Sequence, residues 1–112
     1  MGGKVSYLGE FEQVVLLAIV RLGDEAYGAS IRREIEARGG RTVTIGAAYA
    51  TFDRLIEKGY VKARETAGDA DRGGQPRRGF TVTPAGIAAL EEARALQLRM
   101  WQGIQLPKGR KA

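Results

Sequence analysis

Arg72, Arg77 and Arg78 stand in the middle of the stretch RETAGDADRGGQPRRGFTVT, residues 64 to 83, among glycines, a proline and almost nothing apolar. A guanidinium is well suited to phosphate: it always carries charge and presents a planar fork of donors. Farther up the chain, Arg54 and Lys58 fall within AAYATFDRLIEKGYV and offer a second set of donors for an anion. Other chemistry is scarce. There is no cysteine and no histidine, which removes disulfides, thiolates, the usual zinc ligands and every Ser-His-Asp or Cys-His arrangement. DADRGG resembles the start of a calcium loop, but Gly73 stands where the third oxygen ligand is needed and Phe80 where the bidentate glutamate belongs. With no phosphate-cradling glycine loop and no evident carboxylate pair, the expectation is a protein without a metal, a cofactor or enzymatic activity.

The elements that must position these side chains follow from pattern. The chain has 112 residues, enough for one domain, and 44% apolar residues, enough for an ordinary core. The longest strictly apolar run, Val14 to Val20, is far short of the roughly 20 residues a membrane span needs. No apolar signal region opens the sequence, so a cytoplasmic location without membrane contact is expected. The net charge is +5, yet residues 1–98 hold 14 basic and 13 acidic side chains, a net of +1. An electrostatic argument therefore rests on where charges sit rather than on their sum.

Apolar spacing predicts a first helix from Gly9, with Phe11, Val14, Val15, Ala18, Ile19 and Leu22 as its stripe and Leu16, Leu17 and Val20 adding apolar surface beyond it. Such a helix is covered on more than one side. A second helix is predicted from Asp24, with Tyr27, Ile31 and Ile35 inward, ending at Gly39-Gly40. RTVTI, residues 41–45, reads as a short strand. Thr44 suits the N-cap of a third helix over about Ile45 to Lys58, whose inner stripe is Ile45, Ala48, Tyr49, Phe52, Leu55 and Ile56. Its outer side is small at the leading end: Gly46, Ala47, Ala50 and Thr51, followed by Arg54 and Lys58. YVKARETA and RGFTVT alternate around the glycine-rich connection and predict a β-hairpin. Thr83-Pro84 is an N-cap and first-turn pair for a last helix running to roughly Gly103. It carries two apolar stripes, one with Ile87, Leu90, Leu98 and Trp101, the other with Ala89, Ala93, Leu96 and Met100. A helix packing only on its own domain needs one.

Three helices followed by a hairpin is the plan of a winged helix-turn-helix, mainly α with a small β-hairpin. Residues 5–83 would form this domain, 84–105 a dimerisation helix and 106–112 a basic tail. The third helix fits a major groove, and its small leading residues allow the backbone to approach bases and phosphates. The arginines of the hairpin can reach phosphates or a neighbouring minor groove. The contacts expected with double-stranded DNA are Thr44, Gly46, Ala47, Ala50 and Thr51 for bases, and Arg54, Lys58, Arg72, Arg77 and Arg78 for phosphates. Arg54 equally suits a salt bridge with Glu57, and Asp69 and Asp71 oppose phosphate contact at the hairpin tip. A winged-helix module that binds protein instead of DNA is the alternative from another class.

LLAIVRLGDEAYGASIRREIEARGG, TIGAAYATFDRLIEKGYV and RRGFTVTPAGIAAL resemble successive blocks of the PadR family of bacterial transcriptional regulators, over about residues 8 to 90. Phe52 stands where leucine is commoner, and Ala47-Ala48 precede the tyrosine where a bulkier residue is usual. The resemblance implies a repressor that binds a palindromic operator as a homodimer and is released by a small aromatic effector. It gives Tyr49 a phosphate hydrogen bond beside its place on the inner stripe. It also implies that the last helix packs on the partner's first helix, through Phe11, Val15, Leu90, Leu96, Leu98, Met100 and Trp101. Trp101 then serves either as a dimer-core aromatic or as a stacking surface for a planar ligand between the subunits.

Overall fold

The computed structural model describes residues 7–66 and 77–108. Four helices and one antiparallel hairpin follow one another: α1 (Glu10–Leu22), α2 (Gly28–Gly39), α3 (Ile45–Glu57), β1 (Val61–Thr66), β2 (Arg77–Val82) and α4 (Pro84–Trp101). The core gathers Val15, Leu16 and Ile19 of α1, Ile31 and Ile35 of α2, Phe52 and Leu55 of α3, and Val61 and Phe80 of the hairpin. The hairpin register sets Val61 opposite Val82 and Ala63 opposite Phe80. Val61 and Phe80 are buried against the helices and Val82 packs beside them, whereas Ala63, nearer the tip, is exposed. Phe52 and Phe80 stack with centroids 4.5 Å apart, which ties the hairpin to α3.

Two sequence expectations are corrected. The second helix begins at Gly28, not Asp24: Gly23 ends α1 at φ +58°, a 3-10 turn occupies Gly23–Glu25, and Tyr27 is extended as N-cap. Residues 41–44 form no strand. Val43 is buried, but its backbone is satisfied by side chains of α2: Arg32 Nε donates to its carbonyl at 3.0 Å, and its N–H donates to Glu36 Oε2 at 3.0 Å. β-Branched residues without a neighbouring strand have no ladder to join. Among the described residues, the bridge to the hairpin from outside it comes instead from Tyr27, opposite Gly79, beside a hydrogen bond from Phe80 N–H to the Ala26 carbonyl.

Thr83 joins hairpin to last helix. Its hydroxyl donates to the Gly59 carbonyl at 2.7 Å and accepts from Gly86 N–H at 3.1 Å, while its own N–H donates to the Tyr60 carbonyl. Gly86 sits so close to the Tyr60 carbonyl that a Cβ would strike it. Beyond this joint α4 leaves the body. Gly86 is its one buried residue, Leu90 packs against the core, and Leu96, Leu98, Met100 and Trp101 are exposed. The radius of gyration is 16.8 Å, against about 13 Å for a compact chain of this length. Among the described residues no helix is long and apolar enough to cross a membrane.

Candidate nucleic-acid interface

α3 begins where Thr44 Oγ1 accepts the Ala47 N–H at 3.1 Å. Capping there leaves Gly46, Ala47 and Ala50 exposed on the first two turns, with no long side chain in the way. Ile45 departs from the expected inner stripe. It is 61% exposed, because the first residue of the helix lies beyond the edge of the core. An apolar side chain at this position suits contact with a thymine methyl group.

Tyr49 is half-buried. Its ring meets Phe52 edge-on, with centroids 5.0 Å apart, and its hydroxyl lies against Gly28, where any Cβ would collide with it. The small residue at the start of α2 thus lets the Tyr49 hydroxyl cross that helix end toward the surface. Thr51 does not belong to the outer face. It is 2% exposed; its hydroxyl donates to the Ala47 carbonyl at 2.9 Å and accepts from Arg54 Nη2 at 3.3 Å. A base contact from Thr51 is therefore replaced by an internal role.

Lys58 is also engaged within the fold. Its ammonium bonds both oxygens of Glu12, at 2.9 and 2.8 Å, and the Tyr7 carbonyl at 3.0 Å, which accounts for all three of its hydrogens. Glu12, in the first turn of α1, is 6% exposed and accepts from the Gly9 N–H at 2.7 Å. Arg54 Nε stands 3.5 Å from the same carboxylate, so its acidic partner is Glu12 rather than Glu57. Burial alone would push the Glu12 carboxyl up. The hydrogen bonds from Lys58 and Gly9, with the charges of Lys58 and Arg54, outweigh that and hold it below its ordinary value. Sequence reasoning missed Glu12. Its place three residues after Gly9 signals a helix start, but nothing in the sequence couples it to a lysine 46 positions away.

At the hairpin, Arg77 lies over the Tyr27 ring, 4.2 Å from its centroid, and Arg64 over the same ring at 5.5 Å. Arg64 also donates to the Asp24 carbonyl at 3.0 Å and runs across Gly79, whose missing side chain makes room for it. Tyr27, expected as a core aromatic, is thus a platform that fixes the base of the wing. Arg78 is exposed, its guanidinium 5.4 Å from the Phe80 ring centroid. Arg72, Asp69 and Asp71 lie outside the described residues, as does the tail from 109 onward.

The surface expected to meet a partner subunit is redrawn. Val15 is completely buried in the chain's own core, and Phe11 is partly buried against it. The exposed apolar residues of α1 are Leu17 and Val20. With Gln13, Ile87, Leu90 and Glu91 they line a groove of about 430 Å³ between α1 and α4. Along the free end of α4, Leu98 and Trp101 are exposed on the side that faces the groove, and Leu96 and Met100 are exposed on the other stripe.

A family model for the transcriptional regulator PadR-like family matches residues 16–92. Among solved structures, the chain is similar to RosR of H. salinarum, with 26% identity, 88% of this chain and 81% of that one covered, and a TM-score of 0.64. It shares its fold with a PadR family transcriptional regulator from Eggerthella lenta (23% identity, 84% and 81% covered, TM-score 0.65). The same holds for a PadR-like transcription factor from Bacteroides fragilis (21%, 80% and 82%, 0.66). No curated protein matches the chain significantly.

Proposed function

The chain belongs to the PadR-like family, whose members are DNA-binding transcription regulators and not enzymes, and from that premise we propose that it is a repressor acting as a homodimer on a palindromic operator. The observation that carries the reading is the leading end of α3: a capped helix start with Gly46, Ala47 and Ala50 exposed and Ile45 beside them. Such a face can lie close against base edges. Tyr49 and Arg54 on the same helix and Arg78 on the wing would take phosphates. Repression follows if a dimer on its operator excludes polymerase from the same DNA.

The dimer reading rests on the apolar residues left outside the monomer's core. Leu17 and Val20 on α1 and Leu96, Leu98, Met100 and Trp101 on α4 would cover one another across a two-fold axis. Residues 84–105 thereby serve as the dimerisation segment, and two α3 helices would meet major grooves about 34–36 Å apart.

Selection of bound fragments from genomic DNA, followed by retardation assays, tests the function. Specific retardation of a duplex with two-fold symmetry is expected, with affinity falling as salt rises by a log–log slope of about −0.9 per neutralised phosphate. Arg78→Ala is expected to lower that slope by at most about 2 for the two subunits. Weak, sequence-independent binding alone would turn the reading toward a protein-interaction module.

Trp101, 52% exposed at the end of α4, would face its partner's counterpart region and offer a stacking surface for a flat aromatic effector that releases the operator. It is the sole tryptophan of the chain, so its fluorescence reports on this surface alone. Quenching by planar aromatic cations is expected, with loss of DNA retardation at the same concentrations. An unchanged signal across a broad panel removes the effector from the account and leaves DNA binding intact.

A further inference from the structure

Arg54 is exposed on α3 yet has two partners that are themselves buried. A long side chain on a helix surface ordinarily samples many rotamers and loses that freedom only on meeting its ligand. Here two of its nitrogens have neighbours within the fold: Nε stands 3.5 Å from the Glu12 carboxylate as an ion pair, and Nη2 donates to Thr51 Oγ1 at 3.3 Å. Both partner residues are almost fully buried, Glu12 on α1 and Thr51 on α3, so neither can swing away with the arginine. A guanidinium has five N–H groups. One is turned to Glu12 and one to Thr51, which leaves three for a partner outside the protein.

The charges agree with this arrangement. An acid beside a phosphate-binding arginine would ordinarily repel the phosphate. Lys58 prevents that by bonding both oxygens of Glu12. The cluster of Glu12, Lys58 and Arg54 carries one net positive charge, and the exposed member is the arginine.

We propose that Glu12 and Thr51 are positioning residues that hold the Arg54 guanidinium ready for a backbone phosphate of the duplex read by α3. This rests on the DNA-binding reading above and adds to it how the contact is prepared. A pre-oriented donor loses less freedom on binding than a free one. Lys58, which sequence position suggests as a phosphate contact, acts one step back by neutralising the acid.

The test is a pair of double-mutant cycles on the full-length protein, with a duplex selected from genomic DNA and affinities measured at several salt concentrations. Arg54→Met is expected to weaken binding to all duplexes alike and to lower the salt slope by about 1 per subunit. Thr51→Val keeps the shape of the buried side chain and removes the acceptor. It is expected to weaken binding about threefold in the wild-type background and to do nothing once Arg54 is methionine, as coupled members of one network behave. Glu12→Gln adds one positive charge to the cluster in either background, so its cycle is read as coupling: the change in binding is expected to be about threefold less favourable with Arg54 present than with Arg54→Met, and Thr51→Val carries the test if that variant fails to fold. Equal losses from Thr51→Val in both backgrounds would mean a merely structural role and overturn the proposal. So would an Arg54→Met protein with unchanged affinity and slope, and that result would leave the DNA-binding reading standing. A wild-type protein that retards no selected duplex would overturn both.

Discussion

Replacing Leu17 by aspartate is expected to leave the protein folded but monomeric, and to weaken operator binding by about 10²- to 10⁴-fold. Leu17 is 51% exposed on α1, so the change removes nothing from the monomer's core. In the proposed dimer the same side chain would be buried with Val20, Ile87 and Leu90 against the partner's last helix, and an uncompensated carboxylate there costs several kcal/mol. Two half-sites bound through one linked dimer gain effective concentration; two unlinked monomers do not. Sedimentation of the variant beside the wild type checks the first step, and retardation of the selected duplex checks the second. A variant that sediments as a dimer would place the interface elsewhere. A monomeric variant with wild-type affinity would detach DNA reading from dimerisation.

The largest expected effect on stability belongs to Phe52→Ala. The ring is fully buried, meets Tyr49 edge-on and stacks on Phe80 of β2. Truncating such a residue costs about 3–5 kcal/mol, a large part of the roughly 5–15 kcal/mol that holds a domain together. The loss is shared by two elements, since the ring is both the underside of α3 and the anchor of the hairpin. Urea titration is expected to show the midpoint falling with little change in slope. A loss below about 1 kcal/mol would mean that Tyr49 and Phe80 close over the gap, and that the wing does not depend on this contact.

Much of the fold was legible because local chemistry and burial agree. Thr44 and Thr83 cap their helices as their sequence positions imply, and alternation in the two runs around the glycine-rich connection matches the hairpin register. Periodicity failed where an element ends. Ile45 has the phase of the core stripe but sits past the core's edge, and Asp24 reads as a helix start although the backbone at Gly23 first turns through a 3-10 segment. The candidate site was legible in its small residues and opaque in its charged ones. Thr51, Arg54 and Lys58 share a flank of α3, and periodicity assigns that flank to solvent. Only the approach of α1 from far earlier in the chain converts it into a partly buried ionic cluster around Glu12. Likewise Val15 and Leu17 are both apolar residues of α1, and the sequence does not distinguish which of them the monomer itself covers. Tyr27 took its role from two arginines roughly 40 and 50 positions away.

The joint at Thr83 makes α4 a lever. The helix has 18 residues, hence a length of about 27 Å at 1.5 Å per residue. A tilt of only about 5° at the fulcrum displaces the far end by roughly 2 Å over that length. In the proposed two-fold assembly the excursion would be repeated in the partner, so the separation of the two α3 helices would change without any alteration to the residues proposed to read DNA. Divergent descendants could therefore acquire operators of different spacing by adjusting Gly59, Tyr60, Thr83 or Gly86, and keep the vocabulary of α3 intact.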